Sequence, residues 1–145
     1  MSEKYLIFGA TGSIGSSLSR QLKESGKEVH LVARNESEVK KLSEELGCSF
    51  TVADVLENGF VDKVKAEVPD VKGIAYCVGS IVLKPLRMIK EDEFNQCMKL
   101  NCYSALEVIR GYQDTLKKSK GSVVLFSTVA VRRGFSNHGI IASAK

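Results

Sequence analysis

The chain has 145 residues, of which 43% are hydrophobic and 26% charged, as in an ordinary globular domain. This balance excludes a low-complexity or disordered tail protein and predicts a single domain over residues 1–145. The net charge of +4 comes from 21 basic and 17 acidic residues spread along the chain, so we expect no nucleic-acid partner. The four cysteines include no CxxC pair, and we expect no metal site.

The apolar runs are short. The run from Val123 to Phe126 is far below the roughly 20 residues that cross a bilayer, so we expect no membrane partner. The first residues lack the long apolar stretch of a secretory signal. We therefore expect a cytoplasmic protein.

Strand-like and helix-like patterns alternate along the first half of the chain. Ile14, Leu18 and Leu22 recur every four residues and predict one apolar face of a helix that ends before Gly26. Short apolar runs on either side of it predict strands. In chain order we predict a strand at 5–8, a helix at 13–25, a strand at 29–33, a helix at 37–46, a strand at 49–54 and a short helix closed by Pro69.

The second half continues this alternation. The run GIAYCV at 73–78 is apolar throughout, which is typical of a strand buried on both faces of a parallel sheet. One long helix is predicted over 91–118, a fifth strand over 122–127, and a last helix from Ile140. The order of elements predicts an α/β fold, a doubly wound parallel sheet in three α/β/α layers.

The turn between the first strand and the first helix has the sequence GATGSIG. Glycines at such a turn let the backbone and the positive end of the helix approach a pyrophosphate. A tight turn can use glycine for steric reasons alone, but strand, loop and helix agree here. The residues predicted to bind a dinucleotide here are Gly9, Thr11, Gly12, Ser13, Ile14 and Gly15.

The end of the second predicted strand carries Arg34 next to Ala33. An acidic residue at this place usually holds a ribose 2′-hydroxyl, whereas a basic one suits a 2′-phosphate. We therefore expect NADP(H) to be favoured over NAD(H). A helix-capping or solvated arginine is the alternative interpretation.

Together these motifs resemble the short-chain dehydrogenase/reductase family, from Tyr5 to Lys145. The glycine spacing is similar to that of the extended and atypical branches of the family. Asp54 and Val55 match the acidic and aliphatic pair that contacts the adenine. The resemblance implies a single NAD(P)-binding, Rossmann-like domain.

The family's NNAG turn corresponds to YCVG at 76–79. Only Gly79 is retained, so Cys77 and Val78 cannot make the usual amide contacts of this cofactor-binding turn. The resemblance still implies that Cys77, Val78 and Gly79 lie against the cofactor.

The resemblance also implies a set of catalytic residues. Asn101 matches the helical asparagine of the family's tetrad, and Thr128 or Ser127 its serine. Lys145 matches the lysine of the YxxxK motif, but Ile141 stands in place of the tyrosine. An isoleucine can neither give nor take the proton that tyrosine exchanges with the substrate oxygen. Asn101 and Lys145 would also contact the cofactor, although an asparagine in a helix can simply bridge backbone groups across a kink.

His138 is a candidate replacement for the missing proton donor. It lies seven residues before Lys145, on the same face if the last helix already includes it. A water relayed through Lys145 is the second candidate. The alternative interpretation of His138 is a histidine in a surface loop.

Three functional hypotheses follow. The leading one is an NADP(H)-dependent oxidoreductase that transfers hydride between nicotinamide and a small carbonyl or alcohol substrate. Loss of the tyrosine and of the NNAG amides favours a non-catalytic dinucleotide-binding protein, a redox sensor or a structural partner. A sugar-nucleotide epimerase or dehydratase is suggested by the glycine spacing alone.

The resemblance also bears on length and assembly. It implies that the domain is truncated after the fifth strand, which becomes a sheet edge, with the chain ending on the catalytic lysine. We therefore expect this 145-residue chain to be weakly active or inactive. The resemblance implies a homodimer or homotetramer, formed through the long helix at 91–118.

Overall fold

Five strands form one parallel sheet in the computed structural model, which describes residues 3–145. The strands are β1 (Lys4–Phe8), β2 (Glu28–Ala33), β3 (Ser49–Val52), β4 (Gly73–Tyr76) and β5 (Ser122–Leu125). Their order is β3-β2-β1-β4-β5, so the chain winds outward from a central β1 in both directions. The predicted doubly wound parallel sheet is confirmed.

Helices cover both faces of the sheet. They are α1 (Ser13–Glu24), α2 (Glu36–Leu46), α3 (Phe60–Glu67), α4 (Glu91–Met98), α5 (Ser104–Ser119) and α6 (Gly139–Ala144). Val39 and Leu42 of α2 pack with Leu18 and Leu22 of α1 on one face. Residues of α3 and α5 form the core on the other face, so the three predicted layers are present. Among the residues that the structure describes, no helix is long and apolar enough to cross a bilayer.

The long helix predicted over 91–118 is present as an unbroken helical run over 91–119, but it is not α-helical throughout. A π-helical turn, Lys99–Tyr103, separates α4 from α5, and the backbone N–H of Ser104 donates to the Lys99 carbonyl five residues earlier. A π turn holds one more residue than an α-helical turn, which the spacing of apolar residues does not reveal. The turn contains the buried Asn101.

The predicted apolar face of α1 is correct only in part. Leu18 and Leu22 pack against the sheet, but Ile14 is 51% exposed. Ile14 lies in the first turn of α1, at the carboxyl edge of the sheet, where no strand covers it. The helix is therefore anchored by its second and third turns.

The strand β5 lies at one edge of the sheet, as predicted. It pairs with β4 on one side, and Val124 and Leu125 are about half exposed. The segments before α4 and after β5 carry further exposed apolar side chains: Ile81, Leu83, Leu86, Met88, Val129, Val131 and Phe135. Apolar exposure is thus concentrated on the β5 side of the fold.

Candidate functional site

The glycine turn between β1 and α1 is fixed by contacts between backbone atoms. Gly9 has a φ of +70°, and a Cβ there would lie 2.9 Å from the carbonyl carbon of Cys77. A Cβ on Gly15 would lie 2.2 Å from the carbonyl oxygen of Gly9. Real Cβ atoms do not approach backbone so closely, so both positions require glycine. The turn therefore brings the start of α1 against the ends of β1 and β4.

The start of α1 is suited to an anion. Its N-cap residue is Gly12, which supplies no side-chain cap, and the first turn contains no acidic residue. Gly12 is exposed, and a Cβ there would have only the Gly9 oxygen as a neighbour, at 3.4 Å. The backbone N–H groups at this helix start can thus be approached closely, and they lie at the positive end of the helix dipole. These features fit the pyrophosphate of a dinucleotide.

A cleft of about 510 Å³ follows the carboxyl ends of β1 to β4, within the size range of small-molecule sites. It collects most of the predicted cofactor residues. Those that line it are Gly9, Thr11, Gly12, Arg34, Asp54, Val55, Cys77, Val78 and Gly79. Ser13, Ile14 and Gly15 begin α1 next to this cleft without lining it.

One wall of the cleft was missed by the sequence motifs. It comes from α4 and the loop before it, with Ser80, Val82, Glu93, Gln96, Cys97 and Leu100 as lining residues. No motif identifies these residues, because the chain reaches them only after a loop of irregular backbone. The charge of Glu93 is balanced by an ion pair with Lys84, and the hydrogen bond from Lys84 holds the pKa of Glu93 below its usual range.

The adenosine end of the cleft carries Arg34 and Asp54. The Arg34 side chain is exposed at the rim, and no residue of 3–145 forms an ion pair or hydrogen bond with it. The Asp54 carboxylate accepts a hydrogen bond from the backbone N–H of Leu56 at 2.9 Å, which fixes the turn after β3. A cation that has no protein partner and a fixed carboxylate therefore face the same cleft.

Three predicted residues meet at the other end of the cleft. A Cβ on Gly79 would lie 3.0 Å from Lys145 Nζ and 3.1 Å from Asn101 Oδ1. The Asn101 amide donates to the carbonyl oxygen of Cys97 at 3.0 Å, and the backbone N–H of Ser80 donates to Asn101 Oδ1 at 3.4 Å. Asn101 thus bridges backbone groups and also lies beside Lys145.

Lys145 is half-buried at this place, and burial lowers the pKa of its ammonium group. The thiols of Cys97 and Cys77 act in the opposite direction on the Lys145 pKa. Burial in turn raises the pKa of Cys77 to about 11, so this thiol stays protonated near neutral pH. Lys145 is therefore the titratable group here whose pKa moves toward neutrality.

Asn101 and Lys145 lie beside Gly79 without lining the cleft themselves, and two further predicted catalytic residues, Ser127 and Thr128, lie in the segment after β5. Ser127 Oγ donates to the Lys145 carbonyl oxygen at 3.3 Å, so it does reach the end of α6. Thr128 Oγ1 accepts from the backbone N–H of Ala130 at 3.4 Å and caps a short 3₁₀ turn. Neither side chain lines the cleft.

His138 immediately precedes α6 and does not belong to it, since the helix begins at Gly139. Its Nδ1 donates to the Ser136 carbonyl oxygen at 2.7 Å, and its ring lies against Phe135. The side chain is not part of the cleft lining. The predicted alignment of His138 with Lys145 on one helical face therefore does not occur.

Ile141, at the place of the tyrosine in YxxxK, is buried in an apolar cluster with Cys97, Ile140 and Ala144. No polar group of its own is available for proton transfer. Among residues 3–145, no group of three or more His, Cys, Asp or Glu side chains is placed to hold a metal ion.

Comparison with known proteins identifies the family. The sequence profile described as enoyl-(acyl carrier protein) reductase matches residues 9–145. An uncharacterised oxidoreductase of Saccharomyces cerevisiae is 32% identical over 154 residues, covering 100% of this chain and 61% of the yeast protein. A solved structure described as a short chain dehydrogenase/reductase family protein superposes with a TM-score of 0.94. The chain belongs to the short-chain dehydrogenase/reductase family.

Other relatives agree with this membership. A chloroplastic tropinone reductase homologue of Arabidopsis thaliana is 30% identical, covering 97% of this chain and 47% of that protein. The solved family structure with TM-score 0.94 is 20% identical and covers 99% of this chain but 62% of its own. An alcohol dehydrogenase from Thermococcus sibiricus, solved with 5-hydroxy-NADP, has a TM-score of 0.90 at 23% identity, covering 99% of this chain and 66% of that one. These solved structures show the shared fold, and the chain spans 61% and 47% of the two curated relatives.

Proposed function

We propose that the chain forms the cofactor-binding region, and part of the catalytic region, of an NADP(H)-dependent oxidoreductase that interconverts a small carbonyl compound and an alcohol. One observation carries the proposal. A single cleft begins at the glycine turn of α1 and reaches Gly79, where Asn101 and Lys145 meet. The cofactor-binding groups of the cleft thus end next to the proposed reactive groups, which lie beside Gly79 without lining the cleft themselves.

The cofactor would be held along this cleft by groups of different chemistry. The N–H groups at the start of α1 bind the pyrophosphate, and Asp54 and Val55 flank the adenine. The unpartnered guanidinium of Arg34 is available for a 2′-phosphate, which supports NADP(H) over NAD(H). When bound, the reduced nicotinamide supplies a hydride.

The chain's own polar groups then act on the substrate oxygen. Lys145 would hold the nicotinamide ribose. The Thr128 hydroxyl, which accepts from the Ala130 N–H, would donate to the carbonyl oxygen, whereas Ser127 would first have to give up its hydrogen bond to the Lys145 carbonyl. We propose that the proton reaches this oxygen through a water relayed by Lys145, since burial lowers the Lys145 pKa and makes proton release easier. His138 is the weaker candidate, because its Nδ1 is committed to the Ser136 carbonyl.

Cofactor binding is tested by titrating NADPH and NADH into the protein and following nicotinamide fluorescence. We expect saturation with NADPH at lower concentration. Arg34→Asp should reverse this preference, because it replaces the only cation in the cleft lining of residues 3–145 by an anion. Arg110→Asp, on the exposed side of α5, is the control with the same change of charge. No saturation with either nucleotide would refute the proposal, and an unchanged preference in Arg34→Asp would refute the role of Arg34.

Turnover is tested by NADPH oxidation with a panel of ketones. Lys145→Met should abolish any rate, whereas His138→Ala should retain it. An equal loss in both variants would instead assign proton transfer to the histidine. Any rate is expected to be low in this chain, which spans only part of its relatives.

A second candidate function is supported by the residues that replace family groups. Ile141 is buried and cannot transfer a proton, and Cys77 and Val78 have no side-chain amide to contact the cofactor. These features favour a non-catalytic dinucleotide-binding protein. Saturable NADPH binding without turnover on any ketone would support this function over the enzyme.

We also propose that the protein self-associates as a homodimer or homotetramer. Tyr103 and Leu106 are about half exposed next to each other on the long α4–α5 segment, so they can form part of an interface. Light scattering measures the mass in solution. A Leu106→Lys variant that is monomeric would support this interface, and an unchanged mass would contradict it.

A further inference from the structure

The π-helical turn at Lys99–Tyr103 is held from two sides by buried hydroxyl groups. Tyr76, the last residue of β4, donates its Oη–H to the carbonyl oxygen of Leu100 at 2.6 Å. Ser104 Oγ donates to the carbonyl oxygen of Val55 at 2.7 Å. The π turn and the first residue of α5 are therefore joined to the end of β4 and to the segment after β3, which both contribute to the cofactor cleft.

Tyr76 is well suited to a permanent role as a donor. Its side chain is 3% exposed and its ring packs against Phe8. Burial raises the pKa of the Tyr76 hydroxyl well above its usual range, so the proton stays on the oxygen at any physiological pH. The acceptor is the backbone carbonyl of Leu100, which is part of the π turn, so the hydrogen bond restrains the turn itself.

The strand end that carries Tyr76 also leads directly into the catalytic end of the cleft. Gly79 and Ser80 follow it, and Ser80 contacts Asn101 through its backbone N–H and carbonyl at 3.4 Å each. These two contacts are long, whereas the Tyr76 hydrogen bond to the residue before Asn101 is short. Of these hydrogen bonds between the β4 side and the π turn, the one from Tyr76 is therefore the shortest.

We propose that Tyr76 is a positioning residue, whose hydroxyl fixes the π turn against β4 and so places the Asn101 amide beside Lys145. The role in turnover rests on the proposed function, but the placement of Asn101 does not. In sequence Tyr76 begins the YCVG segment, in which the usual amide side chains are missing. Its hydroxyl supplies a link between strand and helix in this segment.

Tyr76→Phe tests the proposal, because it removes one oxygen and keeps the ring. Tyr112→Phe is the matched control: Tyr112 is equally buried, and its hydroxyl donates to the Val68 carbonyl at 2.9 Å in a part of α5 remote from the cleft. Both variants lose a buried hydrogen bond and should lose similar stability. Only Tyr76→Phe should change the surroundings of Asn101.

The first readout is NMR of the protein alone. In Tyr76→Phe we expect a shifted Asn101 side-chain amide resonance and about tenfold faster backbone hydrogen exchange over 99–104, because the turn opens more often. Tyr112→Phe should leave both unchanged. Equal effects in the two variants, or no effect at Asn101 in Tyr76→Phe, would overturn the proposal. This measurement stands even if no turnover is found, so it separates this proposal from the proposed function.

The second readout is the steady-state kinetics of NADPH oxidation. Tyr76→Phe should lower kcat about fivefold or more with KM for NADPH nearly unchanged, and combining it with Asn101→Ala should add little further loss. Tyr112→Phe should retain kcat. Additive losses in the double variant would show that Tyr76 does not act through Asn101.

Discussion

The glycine turn and the Lys145 end of the cleft are built from different kinds of contact. At the turn, backbone meets backbone, and the 2.2 Å separation that a Cβ on Gly15 would have from the Gly9 oxygen leaves glycine as the only residue that fits. Near Lys145 the contacts involve side chains, such as that of Asn101 with the Cys97 and Ser80 backbone, and the family's tyrosine and amides are replaced by Ile141, Cys77 and Val78. Steric contact between backbones thus restricts the sequence at the turn, whereas contacts through side chains leave room for replacement.

The β1–β2 part of the sheet and its β5 edge also differ, in how completely their side chains are buried. Leu31 in β2 is 0% exposed, whereas Leu125 in β5 is 53% exposed. Hydrophobic stabilisation follows the area removed from water, so most of the folding free energy of this chain comes from the β1–β2 side and the core under β4. The glycine turn follows β1 and so belongs to the better-packed part of the sheet.

The largest expected effect is that of a methyl group at the glycine turn. Gly15→Ala should lower the free energy of unfolding by about 3 kcal/mol or more, because two backbone segments must separate. It should also abolish NADPH binding. Urea unfolding and fluorescence titration measure the two effects.

Gly134→Ala is the control for this experiment, since a Cβ there would meet nothing within 4 Å. It should change the unfolding free energy by less than about 0.5 kcal/mol. If Gly15→Ala behaved like this control, the backbone contact would not be what fixes the motif.

The second expectation concerns packing on the two sides of the sheet. Leu31→Ala should destabilise the chain by about 2–5 kcal/mol, the usual cost of a cavity in a packed core. Leu125→Ala should cost less than about 1 kcal/mol, because half of its side chain is already in water. Urea midpoints of the two variants give the comparison directly, and equal losses would contradict the described difference between the two sides.

The third expectation concerns pH and the buried histidine of β2. His30 is hydrogen-bonded to Ser49 and Thr51 of β3, and burial, with a smaller effect of Lys4, lowers its pKa from 6.5 to about 4. Between these values the unfolded chain binds a proton that the folded chain does not. The contribution of neutral His30 to the free energy of unfolding is therefore complete above pH 6.5 and is lost as the pH falls toward 4.

This difference in the His30 pKa corresponds to about 3 kcal/mol of unfolding free energy. His30→Gln removes the titrating group, so the difference in unfolding free energy between the parent and this variant should shrink by that amount as the pH is lowered. Urea unfolding at a series of pH values provides the test. A pH-independent difference would show that His30 titrates normally in the folded chain.

The sequence predicted the glycine turn and the strands better than it predicted the region around Lys145. The strands, the glycine turn and the cleft position of Asp54 follow from local patterns, because glycine spacing and apolar runs record local conformation. The π turn within the long helix at Lys99–Tyr103 and the hydroxyl link of Tyr76 did not follow. Both depend on contacts between residues more than twenty positions apart, which a one-dimensional pattern does not contain.

The extra residue in the π turn also sets the phase between α4 and α5. Each residue of a helix advances the side chains by about 100° around the axis. Deleting one residue from Lys99–Tyr103 would therefore rotate the whole of α5 relative to α4 by that angle, turning Tyr112 and Leu116 away from the sheet. We therefore expect this segment to tolerate no change of length, so gaps in the sequences of its relatives should avoid these five residues.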